Sequence, residues 1–250
     1  MPEPQQINID IAVSPALHPD NCLPHAAAFV VGKDPEGKPI FGPEFSGTRG
    51  VLERMSDSAG KLAAAERGLK LAGNADQATR DRLNKAADAQ WVTLRKLADD
   101  GFAAIDAATI KACTEIGDQL GIPDARSSVA TGLRSSDIRS GIRALKPEER
   151  EESIRHAIES HDADTVAAVL SAPGIASGIS AAQLGRLRKL AESKLAAGPT
   201  GRRDALGKLR GVLERANKAT SDRFAAGRGA GDSPAARAEA ALRSLEGVKS

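Results

Sequence analysis

Aromatic residues are scarce in this sequence: five Phe, one Trp and no Tyr among 250 residues. Small-molecule pockets and the energetic centres of protein interfaces usually depend on aromatic side chains. Their scarcity therefore counts against a ligand-binding site. A core built from Ala, Leu, Ile and Val suits closely packed helices better than a β-sandwich or an open cavity.

Cysteines and long apolar runs are also scarce. Cys22 and Cys113 stand alone in the sequence, so they do not form a disulfide scaffold. The longest apolar run, AAAFVV at 26–31, is far too short to span a bilayer, and the start MPEPQQINID lacks the features of a signal peptide. We therefore expect no membrane partner, and either a cytoplasmic protein or one packaged from a cytoplasm.

Charge is unevenly distributed along the chain, although the net charge is only +2. Residues 1–45 carry −4, residues 46–180 carry −2 and residues 181–250 carry +8. An acidic N-terminal region and a basic C-terminal region can attract each other or attract oppositely charged neighbours.

Prolines dominate the N-terminal region, since eight of the thirteen lie within residues 1–43. Proline fixes φ and removes a backbone donor, which excludes a long α-helix there. INIDIAV (7–13) alternates as an edge strand does. FVVGKDPEGKPIF (29–41) predicts a β-hairpin, with Asp-Pro-Glu-Gly as its turn. The sequence thus predicts an extended arm, residues 1–45, carrying a small hairpin.

Helical periodicity begins at Gly47, and the predicted fold class is mainly α, a multi-helix bundle. Val51, Met55, Ser58, Leu62, Ala65 and Leu69 form one stripe. Gly73 ends this helix, Asn74 and Gln77 suggest a capping box for the next, and Gly101 is expected to break it, giving three helices before Gly121. Shorter helices are predicted at 126–134, 136–145, 147–160 and 163–171.

Further along, Ser180 and Gln183 form another capping box, Gly198-Pro199 closes that helix, and a long helix follows at about 202–226. We divide the chain into the arm (1–45), a helical body (46–179), a basic helical hairpin (180–226) and a flexible joint with a short C-terminal helix (227–250). That last helix begins at Ser233-Pro234 and carries Leu242 and Leu245.

Three segments resemble functional motifs without completing them. HPDNCLPH offers His18, Cys22 and His25, with Asp20 as a fourth ligand, but a second ligand cluster is missing. In HAIESH the histidines are five residues apart, so they point in different directions on a helix. APGIASG (172–178) lacks the pattern of a phosphate-binding loop. We therefore predict no catalytic residue, metal site or cofactor, and no enzymatic activity. The alternative is an enzyme or regulator whose site is assembled from residues distant in the sequence.

Residues 186–228 carry twelve Lys and Arg against four acidic residues. Such charge can bind nucleic-acid phosphates, or it can be an ordinary solvated helix face. Aromatic residues for base stacking are missing, as is a recognisable groove-binding motif. The candidate contacts are Arg186, Arg188, Lys189, Arg202, Arg203, Lys208 and Arg210.

The Pro-rich arm 1–45 and the segment VLSAPGIASGISAAQLGRLRKLAE (169–192) together resemble virion proteins of tailed bacteriophages. In such assemblies the arm reaches a neighbouring subunit and adds strands to it or wraps around it. The resemblance implies a non-enzymatic capsid-, portal- or tail-associated structural protein. It also implies other virion subunits as partners, several copies per assembly, and a virion location after synthesis in the host cytoplasm.

The hairpin is the expected contact, since an isolated two-stranded hairpin is marginal in water and needs a host surface. The predicted anchors on a partner are Phe29, Val31, Ile40, Phe41 and Phe45. On this hypothesis, deletion of residues 1–45 leaves the helical body folded. The alternative is that the arm folds back onto its own helical body.

Overall fold

The computed structural model describes residues 13–73, 76–122 and 129–227. Its α-helices are α1 (Pro43–Leu71), α2 (Gln77–Gln119), α3 (Val129–Ala144), α4 (Pro147–Glu159), α5 (Ala163–Leu170), α6 (Ala181–Leu195) and α7 (Ala197–Gly227). The strands are β1 (Val30–Lys33) and β2 (Pro39–Phe41), and 3₁₀ helices span Pro15–Leu17, Pro19–Phe29 and Gly174–Ser177. The prediction of a mainly α fold with a small hairpin near the N-terminus is confirmed.

The described part of the Pro-rich segment is more folded than an extended strand. Pro15 and Pro19 each begin a 3₁₀ helix, and the side chains of Ser14 and His18 accept hydrogen bonds at the two N-termini. Proline fits the first turn of a helix because its fixed φ is already suitable. Both 3₁₀ helices pack against α1. The predicted edge strand at 7–13 lies outside the described residues except for Val13.

Helix α1 buries the predicted stripe through Val51, Met55, Ser58 and Leu62, whereas Ala65 near its end is exposed. Helix α2 starts one residue after Asp76, whose carboxylate accepts from the Thr79 amide at 2.8 Å. Asp76 thus has the capping role that we predicted for Asn74, which lies outside the described residues.

The predicted break at Gly101 is wrong, because α2 runs through it without interruption. A Cβ at this position would lie 3.1 Å from Cδ2 of Leu213 and 3.7 Å from Cγ2 of Val51. Gly101 is therefore a point of close packing inside the helix. The two short helices predicted at 126–134 and 136–145 are likewise one helix, α3, over the described residues.

The chain divides into two compact units: residues 1–105 with 208–250, and residues 106–207. We call them unit 1 and unit 2. The predicted arm and the first part of the body fall in unit 1. The predicted basic hairpin is shared, since α6 lies in unit 2 and α7 contributes to both units.

Unit 2 has an aliphatic core made by α3–α6 and the end of α2. Its most deeply buried members include Leu120, Ile154, Ile158, Val166, Leu170 and Leu187. The predicted capping box at α6 is confirmed, because Ser180 Oγ accepts from the Gln183 amide at 3.2 Å and Gln183 Oε1 accepts from the Ser180 amide at 2.8 Å.

Arg150 in α4 holds the corner between α3 and α4. Its guanidinium donates to the carbonyl oxygens of Leu145 at 3.0 Å, Gly178 at 2.9 Å and Arg143 at 2.8 Å. Two of these carbonyls lie at the end of α3, where the last turn of a helix lacks intrahelical partners. Arg150 therefore satisfies the C-terminus of α3 and attaches the loop before α6 to it.

Candidate functional site

The hairpin is fixed to α1 by three phenylalanine rings. The centroid of the Phe45 ring lies 5.6 Å from that of Phe29 and 4.8 Å from that of Phe41. Phe29 and Phe45 are each only 1% exposed, and the Gly42 amide donates to the Phe29 carbonyl at 2.8 Å. The base of the hairpin is therefore part of the core of unit 1.

The tip of the hairpin is the predicted Asp-Pro-Glu-Gly turn. Oδ1 of Asp34 accepts from the amides of Glu36 at 3.0 Å and Lys38 at 2.8 Å, and the Gly37 amide donates to the Asp34 carbonyl at 2.9 Å. Gly37 has a φ of +81°, which glycine adopts without strain. Because these bonds stay within the turn, the tip is ordered by its own sequence.

The outer part of the hairpin exposes aliphatic side chains. Val31 is 62% exposed and Ile40 is 46% exposed. Val30 on β1 and Leu23 on the preceding 3₁₀ helix are also exposed. In the part of the chain that the structure describes, the sheet has only two strands, so each strand leaves one edge unpaired. We call Leu23, Val30, Val31 and Ile40 the hairpin patch.

The five predicted anchors therefore separate into two groups. Val31 and Ile40 are available to a partner, and Phe41 is half-buried. Phe29 and Phe45 are covered by their own chain, so they cannot be exposed anchors in this conformation. Aromatic content alone could not show which way these rings point. Leu23 and Val30 were not predicted as contacts, although Val30 belongs to the predicted first strand of the hairpin.

The burial of Phe29 and Phe45 also changes the expectation for deleting residues 1–45. Leu17 and Cys22 are buried in the same segment. Removing four buried side chains exposes the α1 surface that they cover, and this costs free energy of unfolding. We now expect this deletion to destabilise unit 1. The base of the arm folds back on its own body, as the alternative requires, and only the exposed outer part of the hairpin is left to bind a partner.

Several of the side chains predicted to bind nucleic acid already have hydrogen-bond or ion-pair partners within unit 2. Arg186 pairs with Glu151 at 3.1 Å, and Arg188 donates to the Leu170 carbonyl at 2.7 Å. Hydrogen bonds from Gln183 and Arg186 hold the pKa of the Glu151 carboxyl below its ordinary value. Arg203 pairs with Glu192 at 2.9 Å and with Asp204 at 3.0 Å.

The other predicted nucleic-acid contacts differ in their exposure and in their partners. In unit 1, Arg210 bonds Glu214 at 3.1 Å, and its guanidinium lies 5.3 Å from the centroid of the Phe102 ring. Lys189 and Lys208 are exposed, and Arg202 is half-buried. Since most of the seven side chains already have partners in the chain, the net charge overstates the charge available to phosphates. Nucleic-acid association stays a prediction.

The HPDNCLPH segment serves the fold of unit 1. Nδ1 of His18 accepts from the Asp20 amide at 3.3 Å, and Cys22 is fully buried. Burial, together with the charges of Lys208 and Arg215, lowers the pKa of His25. Among the described residues, no group of three or more His, Cys, Asp or Glu side chains is arranged to hold a metal ion.

The two thiols are expected to react very differently. Burial raises the pKa of Cys22 from 9.0 to about 11, although Arg49 partly opposes this, whereas Cys113 is exposed. Only a thiolate attacks an alkylating reagent. At pH 8, iodoacetamide should modify Cys113 quickly and Cys22 at least about 100-fold more slowly, as mass spectrometry of peptides would measure.

Urea should make both cysteines reactive, and a Cys113→Ser variant should show only the slow reaction. Rapid labelling of Cys22 in the native protein would contradict its burial. Because the raised pKa favours the protonated thiol in the fold, its stabilising effect should be lost as the pH rises from 9.0 to about 11.

Unit 1 also carries two clefts. A cleft of about 280 Å³ lies beside Leu62, Leu83 and Phe224, and a cleft of about 360 Å³ lies between the first turns of α1 and Asp100 of α2. The first is mainly apolar.

Comparison of the chain with protein-family models, with curated proteins and with solved structures returned no match. Among the helices that the structure describes, none combines the length and apolar character that a bilayer crossing requires. The interpretation of function therefore depends on the surface and packing described above.

Proposed function

We propose that this protein is a non-enzymatic structural component of a phage particle that binds neighbouring subunits through its N-terminal hairpin. The observation that carries the proposal is the hairpin patch, an exposed aliphatic surface on a small sheet whose edges are unpaired within residues 13–73, 76–122 and 129–227. Strand edges and exposed aliphatic side chains are the features by which one subunit adds to the sheet of another.

The packing at the base of the hairpin suits this role. Phe45 on α1 contacts Phe29 before β1 and Phe41 in β2, so both ends of the hairpin are attached to the helix. A binding element that is already ordered loses less conformational entropy when it binds. The aromatic cluster thus supports assembly indirectly, by holding the aliphatic patch in place.

The proposed partners are other virion subunits, including further copies of this chain, and the proposed location is the virion after synthesis in the host cytoplasm. Support for the phage setting comes from the resemblance of the Pro-rich arm and of residues 169–192 to virion proteins. The acidic N-terminal region and the basic C-terminal region give neighbouring copies an electrostatic attraction.

The proposal is tested with a Val31→Lys/Ile40→Lys double variant of the full chain. Both side chains are exposed, so the variant should keep its melting temperature. Burying two aliphatic side chains typically contributes about 2–3 kcal/mol or more to association, so the self-association constant should fall at least about tenfold. Sedimentation velocity over a concentration series measures this constant.

Val92→Lys is the matched control, because Val92 is 68% exposed and lies on α2 of the same unit. The control should assemble as the unmodified chain does. A chain that is monomeric at every concentration, or a double variant that assembles normally, would contradict the proposed contact between copies. The ratio of absorbance at 260 and 280 nm in the purified protein tests the nucleic-acid alternative, which predicts salt-sensitive retention of nucleic acid.

A further inference from the structure

The cleft of about 280 Å³ in unit 1 is not filled by any segment among the described residues. Its apolar lining comes from α1 (Leu62, Ala65), α2 (Leu83, Ala86, Ala87) and Phe224 of α7. Four of the ten lining residues are polar or charged, and these form pairs. Ser58 Oγ accepts from Gln90 Nε2 at 2.9 Å, and Lys61 pairs with Asp57 at 2.6 Å. The cleft therefore favours an apolar occupant.

Helix α7 ends close to this cleft. Phe224 lines it and stacks on Trp91 with a centroid distance of 6.1 Å, and α7 ends three residues later at Gly227. Residues 228–250 lie outside the described residues. The eight residues GRGAGDSP (227–234) can span up to about 26 Å when extended. Residues beyond Pro234 are thus within reach of the cleft in the same molecule.

The sequence after this joint predicts a suitable occupant. Ser233-Pro234 is a typical helix start, and Ala238, Ala241, Leu242 and Leu245 recur at the spacing of one helix face. A helix of about a dozen residues is marginal in water unless that face is covered. Alanines on the face allow close approach to a cleft that is itself lined by alanines.

We propose that the C-terminal segment 234–246 docks as a helix in this cleft of its own chain. The short joint gives the segment an effective concentration in the millimolar range, so even weak intrinsic affinity is sufficient for docking. The segment then covers the exposed Ala65 and Ala86 and the half-buried Leu83. The docked helix completes unit 1 with residues from the end of the sequence.

The test is disulfide formation between engineered cysteines in the full chain. In a Cys113→Ser background, Ala65→Cys is combined with Ala241→Cys. The control combines Ala64→Cys with Ala241→Cys, because Ala64 is the neighbouring exposed alanine but is turned about 100° around the helix. Mild oxidation is followed by non-reducing electrophoresis and mass spectrometry.

The Ala65 pair should form an intramolecular disulfide at least tenfold faster than the Ala64 pair, at a rate independent of protein concentration. Equal rates, or no disulfide in either variant, would overturn the proposal. A disulfide-linked dimer whose yield rises with concentration would instead assign the cleft to the segment of a second copy, and would also overturn it.

A second variant tests the same contact without cysteines. Leu242→Asp/Leu245→Asp should uncover the cleft and raise the fluorescence of anilinonaphthalene sulfonate several-fold, with the helical circular dichroism of the other helices retained. An Arg243→Asp control, on the opposite side of the predicted helix, should leave the fluorescence unchanged. Identical dye binding by both variants and by the unmodified chain would contradict docking. Neither experiment depends on assembly through the hairpin patch.

Discussion

Replacing Phe45 by alanine should lower the free energy of unfolding of unit 1 by about 3–5 kcal/mol, because removal of a buried aromatic side chain loses its transfer free energy and leaves a cavity. Phe45 is 1% exposed and contacts the rings of Phe29 and Phe41. Loss of the Phe45 ring should therefore also release the hairpin from α1. Urea denaturation followed by circular dichroism measures the change in stability.

Val31→Ala is the comparison for Phe45→Ala, because Val31 lies on the same hairpin but is 62% exposed. It should change the free energy of unfolding by no more than about 0.5 kcal/mol. Suppose instead that Phe45→Ala kept full stability and lost only self-association. Phe45 would then be a contact to a partner, as the sequence had suggested, and its burial in unit 1 would have no energetic importance.

Replacing Arg150 by methionine should cost unit 2 about 1.5–3 kcal/mol, since hydrogen bonds to a charged group typically contribute about this much and two of the three bonds of Arg150 are exposed to water. Arg150 bonds three carbonyl oxygens, and part of each loss will be recovered by solvent. Hydrogen exchange should show the largest loss of protection at the end of α3 and around Gly178.

Arg155→Met on the same helix provides the control. The guanidinium of Arg155 lies 3.7 Å from Glu151 and 3.6 Å from Glu152, and its side chain is 44% exposed. Exposed ion pairs contribute little, so the stability should change by less than about 1 kcal/mol. Gly178→Ala disturbs the same corner from the loop before α6. Its Cβ would lie 2.8 Å from Nη1 of Arg150, and the φ of +68° at this position is strained for alanine. Equal stability of the Arg150 and Arg155 variants would refute the role of the corner.

Local patterns in the sequence were sufficient for much of the fold. The stripe through Val51, Met55 and Leu62 identified the buried face of α1, and Ser180 with Gln183 identified the start of α6. The turn at Asp34 was also predictable, because its hydrogen bonds lie within five residues. In each case the determining interactions are close in sequence.

The sequence was less informative where the residues that interact are far apart along the chain. Glycine often ends a helix, so the sequence predicted a break at Gly101. Only the close approach of Leu213 from α7 explains why a glycine stands inside α2. The charge of Arg186 was visible, but its pairing with Glu151, 35 residues away, was not. Phe29 and Phe45 were recognisable as anchors, but periodicity does not distinguish a partner's surface from the protein's own core.

Arg150 and Glu151 are consecutive residues of α4, yet they attach this helix to its neighbours through groups that respond differently to acid. Arg150 reaches the end of α3 through backbone carbonyls, which do not titrate. Glu151 reaches Arg186 of α6 through a carboxylate whose pKa is lowered, so this attachment persists below the ordinary pKa of glutamate and is lost only as the pH falls through the lowered value. Acidification should thus remove the ion pair between α4 and α6 while the bonds of Arg150 to α3 remain. Since Arg186 is 63% exposed, this pair contributes little, and the aliphatic core of unit 2 keeps α6 in place.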